Sequence, residues 1–284
     1  MRAVIVGSQG QLGQALTQRL GQSAIKLSRA EADLAVRGQV SEVLKRLRPE
    51  IVWNTAAYNF VEQAETDRES ACAVNVDGVR ELAETCAMLG ATLVHFSTDY
   101  VFDGNREPRQ PYVETDPTAP VNVYGQSKLG GEEVVRSSGA RHIVIRTCGL
   151  YGSLSGRGKG RNFVTTMLRL GREQGRVRVV GDQVCTPSSA EDLADAVLAL
   201  VATGTEGLFH WTNRGECSWA EFARAVFEFA NLPVEVETIT TAEYGGRAAR
   251  PSHTVLSTAK FESLGLPRPR MWRDALREYV RSLS

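Results

Sequence analysis

An imbalance of charge is the first thing this 284-residue chain lacks: 33 Lys+Arg stand against 33 Asp+Glu, a formal net charge of +0. Without a basic surplus it has no electrostatic pull on phosphate backbones or anionic lipid surfaces, so we expect neither a nucleic acid nor a membrane as partner. Long apolar runs are missing as well, none approaching the roughly 18 residues that span a bilayer. Nor do we expect a signal peptide, because Met1 to Val6 runs directly into a glycine turn. The 4 histidines are scattered, which leaves a His/Cys metal site without support. The 5 cysteines (Cys72, Cys86, Cys148, Cys185 and Cys217) are odd in number and form no C-x-x-C pair. They read as buried thiols in a reducing cytoplasm, not as a disulfide framework. What the chain does have is 42% hydrophobic residues, enough for a large core in one large or two moderate domains, which excludes wholesale disorder.

The first half alternates short β-branched runs with longer amphipathic stretches, the pattern of a parallel sheet covered by helices on both faces. Strands are expected at 3–6, 24–27, 51–54, 92–97 and 143–146. Apolar residues at helical spacing predict helices at 12–20, 40–47 and 70–89, the last stopped by Gly90. Beyond Tyr151 the Gly/Ser-rich stretch 152–161 reads as a loop. Helices at 162–170, 190–201 and 218–230 and strands at 177–180 and 208–212 follow. Pro233, Pro251, Pro267 and Pro269 break up the C-terminal stretch. The fold class expected is α/β, a doubly wound parallel sheet with a smaller mixed α/β C-terminal lobe. Residues 1–150 plus about 176–212 would form a dinucleotide-binding domain, and about 151–175 plus 213–284 a substrate-binding lobe.

Gly7-Ser8-Gln9-Gly10-Gln11-Leu12-Gly13 follows the first strand and opens the first helix. Glycines there allow a tight turn, let backbone approach a pyrophosphate and let the helix pack near the sheet, while the helix N-terminus offers free N–H groups to phosphate. The second strand ends Leu27-Ser28-Arg29 with no acid at its tip, Glu31 and Asp33 coming later. An arginine there suits a 2′-phosphate, so we expect NADPH as cofactor, with NADH left as a further acceptable one.

Tyr124-Gly125-Gln126-Ser127-Lys128 puts a phenol and an ammonium about one helical turn apart on one face. The ammonium is expected to lower the phenol's pKa from its ordinary value near 10, making it a better proton donor at working pH. Thr98 ends the fourth strand, where ligands bind to parallel sheets, and is suited to hydrogen-bond a substrate carbonyl beside Tyr124. Asn75, polar among apolar neighbours, either holds a water relay to Lys128 or faces solvent.

Taken together these residues resemble the extended short-chain dehydrogenase/reductase superfamily and, within it, the dTDP-4-dehydrorhamnose reductases. The carrying motifs are Gly7 to Gly13, Asn54-Thr55-Ala56-Ala57-Tyr58, the run from Ser97 through Gly104, Asn122 through Lys128, Asn162-Phe163, Asp182-Gln183 and Arg250-Pro251. The resemblance implies a Rossmann fold and reduction of the C4 ketone of a dTDP-linked 6-deoxyhexulose. Tyr124 would donate the proton, Lys128 hold the nicotinamide ribose and Thr98 orient the carbonyl. The cofactor would lie along Gly7, Gln9, Gly10, Gln11, Leu12, Ser28, Arg29, Asp33, Leu34, Ala56, Ala57, Tyr58 and Asn75. The nucleotide sugar would meet Thr98, Asp99, Tyr100, Asn162, Phe163 and Arg250. Arg157, Lys159 and Arg161 are read as a solvated loop in preference to a diphosphate site.

Two departures matter. Many members of that family carry a tryptophan after the fifth strand, where this chain reads Arg146-Thr147-Cys148-Gly149-Leu150-Tyr151, and this chain adds the Ser/Gly-rich loop. Both bear on which sugar is taken more than on the reaction. Sister 4,6-dehydratases need an Asp-Glu pair after the threonine, and Tyr100 stands in its second place. The remaining alternatives are a nucleotide-sugar 4-epimerase and a non-catalytic NADP-binding regulatory subunit. A homodimer is compatible with the sequence, which does not give the oligomeric state.

Overall fold

The computed structural model describes residues 2–153 and 162–283. Most of the expected 152–161 loop, with Arg157, Lys159 and Arg161, therefore lies outside the described residues.

Six strands form a parallel sheet: β1 (Ala3–Val6), β2 (Ala24–Leu27), β3 (Ile51–Asn54), β4 (Thr92–Thr98), β5 (His142–Thr147) and β8 (Gly207–His210), in the order β2-β1-β3-β4-β5-β8. β1 and β3 are buried at every position, as a strand must be when helices cover both faces. Alternate side chains then build two cores. Ile5, Trp53, Phe96 and Ile145 pack on one face against α1 (Gln11–Leu20) and α6 (Ala190–Ala202). Val4, Val52, Leu93 and Val144 pack on the other against α2 (Gln39–Leu47), α3 (Gly78–Leu89) and α4 (Val123–Ser137). The chain leaves β1 in one direction for β2 and returns on its other side as β3. That reversal opens a crevice above the carboxyl ends of β1 and β3.

The helix expected at 70–89 is not uniform. It starts at Arg68–Cys72 under the Asp67 side chain, widens into a π-helical turn at Ala73–Asp77 and continues as α3 to Gly90, whose φ of 66° caps it as expected. The wide turn lies so close to α4 that a Cβ on Gly131 would sit 2.4 Å from the Asn75 carbonyl oxygen. The Gly130-Gly131 pair in α4 thus serves close helix packing.

One expected assignment changes. β6 (Arg176–Val180) does not join the main sheet; it pairs in parallel with β10 (Glu235–Ile239) in a separate two-stranded sheet. Its exposed Arg176 and Arg178 alternate with buried valines and pair with Glu237 of β10. A strand with one solvated face is unsuited to the middle of a doubly wound sheet, so 176–180 belongs to the lobe. There it packs with α5 (Phe163–Gln174), α7 (Trp219–Phe229) and α8 (Trp272–Ser282) around Met167, Val177, Phe222 and Leu276. A short antiparallel pair, β7 (Val184–Cys185) with β9 (Cys217–Ser218), completes the described strands.

Candidate active site

The loop after β1 shows what each glycine does. Gly7 has φ 81°, and a Cβ there would lie 2.6 Å from the Ala56 nitrogen, so only glycine lets the β1 and β3 ends approach. On Gly13 a Cβ would lie 2.4 Å from the Gly7 oxygen, which fixes how near α1 comes to the loop. Gly10 opens α1 with no side-chain cap, no acid in the first turn, and only the Gly7 oxygen, 3.5 Å away, near the place of a Cβ. Unscreened N–H groups at the end of a helix dipole, faced by backbone without side chains, fit the pyrophosphate of a dinucleotide. Gln9 is exposed there, whereas Leu12 is buried in the core and offers backbone alone.

At the tip of β2, Arg29 is exposed and bonds Asp33 at 2.9 Å. Glu31, which sequence reading puts past the tip, folds back: its carboxylate accepts from the Ser28 N–H at 2.8 Å and hydroxyl at 2.6 Å. Those bonds hold the Glu31 carboxyl below its ordinary range. The tip therefore carries an arginine and a carboxylate together. Leu34 is buried below it, its carbonyl pressed against Gly78.

Beyond β3, Ala56, Ala57 and Tyr58 run along the crevice, half-buried. Asn75 does not face solvent. It is buried, its Oδ1 accepting from the Tyr58 N–H at 2.9 Å and its Nδ2 donating to the Tyr58 carbonyl at 3.0 Å and to Ser127 Oγ at 2.9 Å. Ser127 Oγ in turn donates to the Tyr124 carbonyl. Asn75 thus pins the 56–58 segment to the start of α4.

Thr98, at the carboxyl end of β4, accepts from the Tyr100 N–H at 3.2 Å and donates to Asp99 Oδ1 at 3.1 Å. Asp99 is buried and also accepts from Thr254 Oγ1; burial pushes its carboxyl up against the pull of these bonds. Helix α4 starts under the Asn122 cap, and Gly125 lets it approach so closely that a Cβ would meet the Tyr100 oxygen at 2.3 Å. This brings Tyr124 edge-on to the Tyr100 ring, centroids 5.9 Å apart, with its hydroxyl in hydrogen-bonding contact with Thr98. One turn on, Lys128 is buried and donates through Nζ to the Phe96 carbonyl at 2.6 Å.

The electrostatics reverse one expectation. Burial raises the Tyr124 phenol above its ordinary value, Asp99 and Cys148 push it further, and only the Thr98 hydrogen bond opposes them. Lys128 donates to a β4 carbonyl, and burial brings its own pKa down to about 8, with Glu132 opposing. The site holds a neutral phenol that keeps its proton until a stronger base forms next to it.

The other three residues expected toward a substrate part ways. Arg250 reaches the site: it bonds Glu62 at 2.7 Å, lies over the Tyr244 ring and acts electrostatically on Tyr100. Phe163 is half-buried against Trp219 and Phe222. Asn162 is the buried cap of α5, accepting from the Thr165 N–H and donating to Gln11 Oε1, the Gly152 carbonyl and the Tyr279 hydroxyl. Its NH2 group is fully engaged, while Oδ1 keeps one acceptor position, and it ties Gln11 of the glycine loop to the lobe.

Sequence reading missed two features. Trp219 borders the space in front of Gly149, where a Cβ would lie 3.1 Å from the indole Cη2, so an aromatic wall stands beside the segment that lacks its own tryptophan. Glu132 and Arg146 form a buried ion pair behind Lys128, Nη2 to Oε2 at 2.7 Å. Arg146 directly after the apolar run 143–145 was the available signal, because a buried charge requires a partner.

A family model, that of the RmlD substrate binding domain, matches residues 1–284. The chain belongs to the RmlD substrate binding domain family. Spore coat polysaccharide biosynthesis protein SpsK of Bacillus subtilis is 39% identical over 286 residues, covering 100% of this chain and 98% of its own. A dTDP-4-dehydrorhamnose reductase of Mycobacterium tuberculosis is 40% identical over 283 residues, 97% of this chain and 91% of that one. Among solved structures, the dTDP-4-dehydrorhamnose reductase of Bacillus anthracis in complex with NADP superposes with a TM-score of 0.93 at 36% identity, covering 99% of each chain. The Rossmann-type architecture expected from the strand pattern is thus shared across this RmlD-family chain.

Proposed function

We propose that this RmlD-family protein is an NADPH-dependent reductase of the C4 ketone of a nucleotide-linked 6-deoxyhexulose, converting dTDP-4-dehydro-L-rhamnose to dTDP-L-rhamnose or acting on a close analogue. The observation that supports it most is the meeting of Thr98, Tyr124 and Lys128 at the end of β4, beside the glycine cradle. Gly7 and Gly10 to Leu12 would take the pyrophosphate on backbone N–H groups, with Ala56 to Tyr58 along the other wall. Arg29 would face a 2′-phosphate, and the Glu31 carboxylate on Ser28 gives the ribose hydroxyl of NADH a contact as well. NADPH, when bound, supplies the hydride.

The chain's own part is proton supply and orientation. Thr98, its hydroxyl turned from Asp99 Oδ1, donates to the ketone oxygen, and Tyr124 gives that oxygen its proton as charge develops there. A phenol held above its ordinary pKa stays protonated through binding and releases only to the much more basic alkoxide. Lys128, with one proton on the Phe96 carbonyl, has two left for the cofactor ribose. Arg250 and Tyr100 would border the substrate from the lobe side, with Trp219 and Phe163 forming an aromatic wall. The six-stranded part would hold the cofactor and the lobe the nucleotide. The five cysteines are all free, which suits a reducing cytoplasm.

The test is to mix the purified protein with NADPH and dTDP-4-dehydro-L-rhamnose and follow NADPH absorbance together with the sugar product. Stoichiometric oxidation with formation of the C4 alcohol is expected. Exchange of C4 epimers without net NADPH loss, or binding of both ligands without turnover, overturns the reading.

A further inference from the structure

Helix α4 meets the end of β4 in three successive rungs, each one helical turn from the last. Tyr124 contacts Thr98, Lys128 grips the Phe96 carbonyl, and Glu132 accepts a hydrogen bond from the Ser97 hydroxyl. The third rung is the most deeply built. The Glu132 side chain is 1% exposed and its carboxylate takes a forked Arg146 guanidinium, Nε to Oε1 at 2.9 Å and Nη2 to Oε2 at 2.7 Å. Arg146 is held in turn over the Phe102 ring and beside His210. Two buried charges clamped in this way hold helix and strand in one relative position.

We propose that Glu132 is a positioning residue for the reduction: it keeps α4 in register with Thr98 and holds the Lys128 side chain in its charged form. The inference rests on the reductase reading. Residues four apart on a helix are neighbours, so the Glu132 carboxylate, one turn past Lys128 and equally buried, favours the charged ammonium. The other titratable or charged groups packed around Lys128 can be named. His95 on β4 is buried, hydrogen-bonded through Nδ1 to Asn54 and kept neutral by burial and by Lys128 itself. Arg146 on β5 is turned toward Glu132, Tyr124 on α4 is a neutral phenol, and Asp99 lies past the strand end, bonded to Thr98 and Thr254. The Ala73–Asp77 turn presents the uncharged Asn75, with Asp77 exposed. Glu132 is therefore the fixed negative charge on Lys128's own face of the helix, and burial works against it in lowering Lys128.

The experiment is the pH profile of kcat/KM for NADPH-dependent ketone reduction in the wild type and in Glu132→Gln, which keeps an acceptor for Ser97 and removes the charge. The alkaline limb, set by loss of the Lys128 proton, is expected to move down by roughly one pH unit in the variant, with far smaller loss at pH 6. A general fall at every pH with the limb unmoved is the signature of a merely structural role and overturns the proposal. Should Glu132→Gln not fold, the double variant Glu132→Gln/Arg146→Met leaves no unpaired buried charge. Its limb is expected to move down in the same direction, and an unmoved limb overturns the proposal equally. An inactive wild type instead overturns the reductase reading, so the two failures are distinguishable.

Discussion

Replacing Asn75 with alanine separates a structural amide from a water-holding one. The side chain makes three hydrogen bonds, to both backbone groups of Tyr58 and to Ser127, all in buried or half-buried surroundings. At about 1 kcal/mol for each neutral bond, the loss amounts to about 3 kcal/mol, and more if the Tyr58 N–H is left without an acceptor. For a chain of this size that corresponds to a fall in Tm of roughly 5 °C. Because the freed segment lines the crevice, NADPH affinity is expected to weaken about tenfold, while kcat at saturating NADPH stays within about threefold. Thermal melts, fluorescence titration of NADPH and steady-state kinetics read the three quantities. A variant with unchanged Tm and a kcat lowered a hundredfold or more refutes this reasoning and restores the water relay.

Other expectations follow from the same geometry. With Lys128 brought down to about 8, kcat/KM should fall above that pH. The sign for stability is opposite: the folded state resists the charge, so the cost is full below about pH 8 and is relieved as pH rises toward the ordinary value of 10.5. The stability of wild type relative to Lys128→Met, from urea titrations at pH 7 and 10, should therefore rise with pH by up to about 3 kcal/mol. Gly13→Ala forces a Cβ onto the Gly7 carbonyl, so urea unfolding should show a loss of about 1–3 kcal/mol and fluorescence titration an NADPH affinity weakened tenfold or more. Arg29→Ala, at an exposed position, should leave Tm within about a degree but raise KM for NADPH about tenfold with that for NADH little changed.

The central strands were legible because burial on both faces turns them into short apolar runs bounded by glycine and proline, as at Ala3–Val6 and Ile51–Asn54. Arg176–Val180 misled because an alternating strand and a buried one are both rich in valine, and its salt-bridged partner in β10 lies far along the chain. In the site, spacing put Tyr124 and Lys128 on one helix face but did not reveal how completely the phenol is buried, which reverses its expected shift, or that Lys128 reaches across to the Phe96 carbonyl. The protein partners of Asn75 and Asn162 could not be read from the sequence. Those partners are the Tyr58 backbone in one case and Gln11, Gly152 and Tyr279 in the other, groups that no local pattern links. Glu31 was set aside by its distance along the chain, although a turn brings its carboxylate back to Ser28.

The account stands on Tyr124 as the proton donor, and Tyr124→Phe tests it most directly, since the ring and its packing on Tyr100 are kept and one oxygen is removed. Rates of NADPH oxidation with the keto sugar should fall by about a thousandfold or more while the dissociation constant for NADPH stays within about twofold. Turnover within a few-fold of wild type would contradict it.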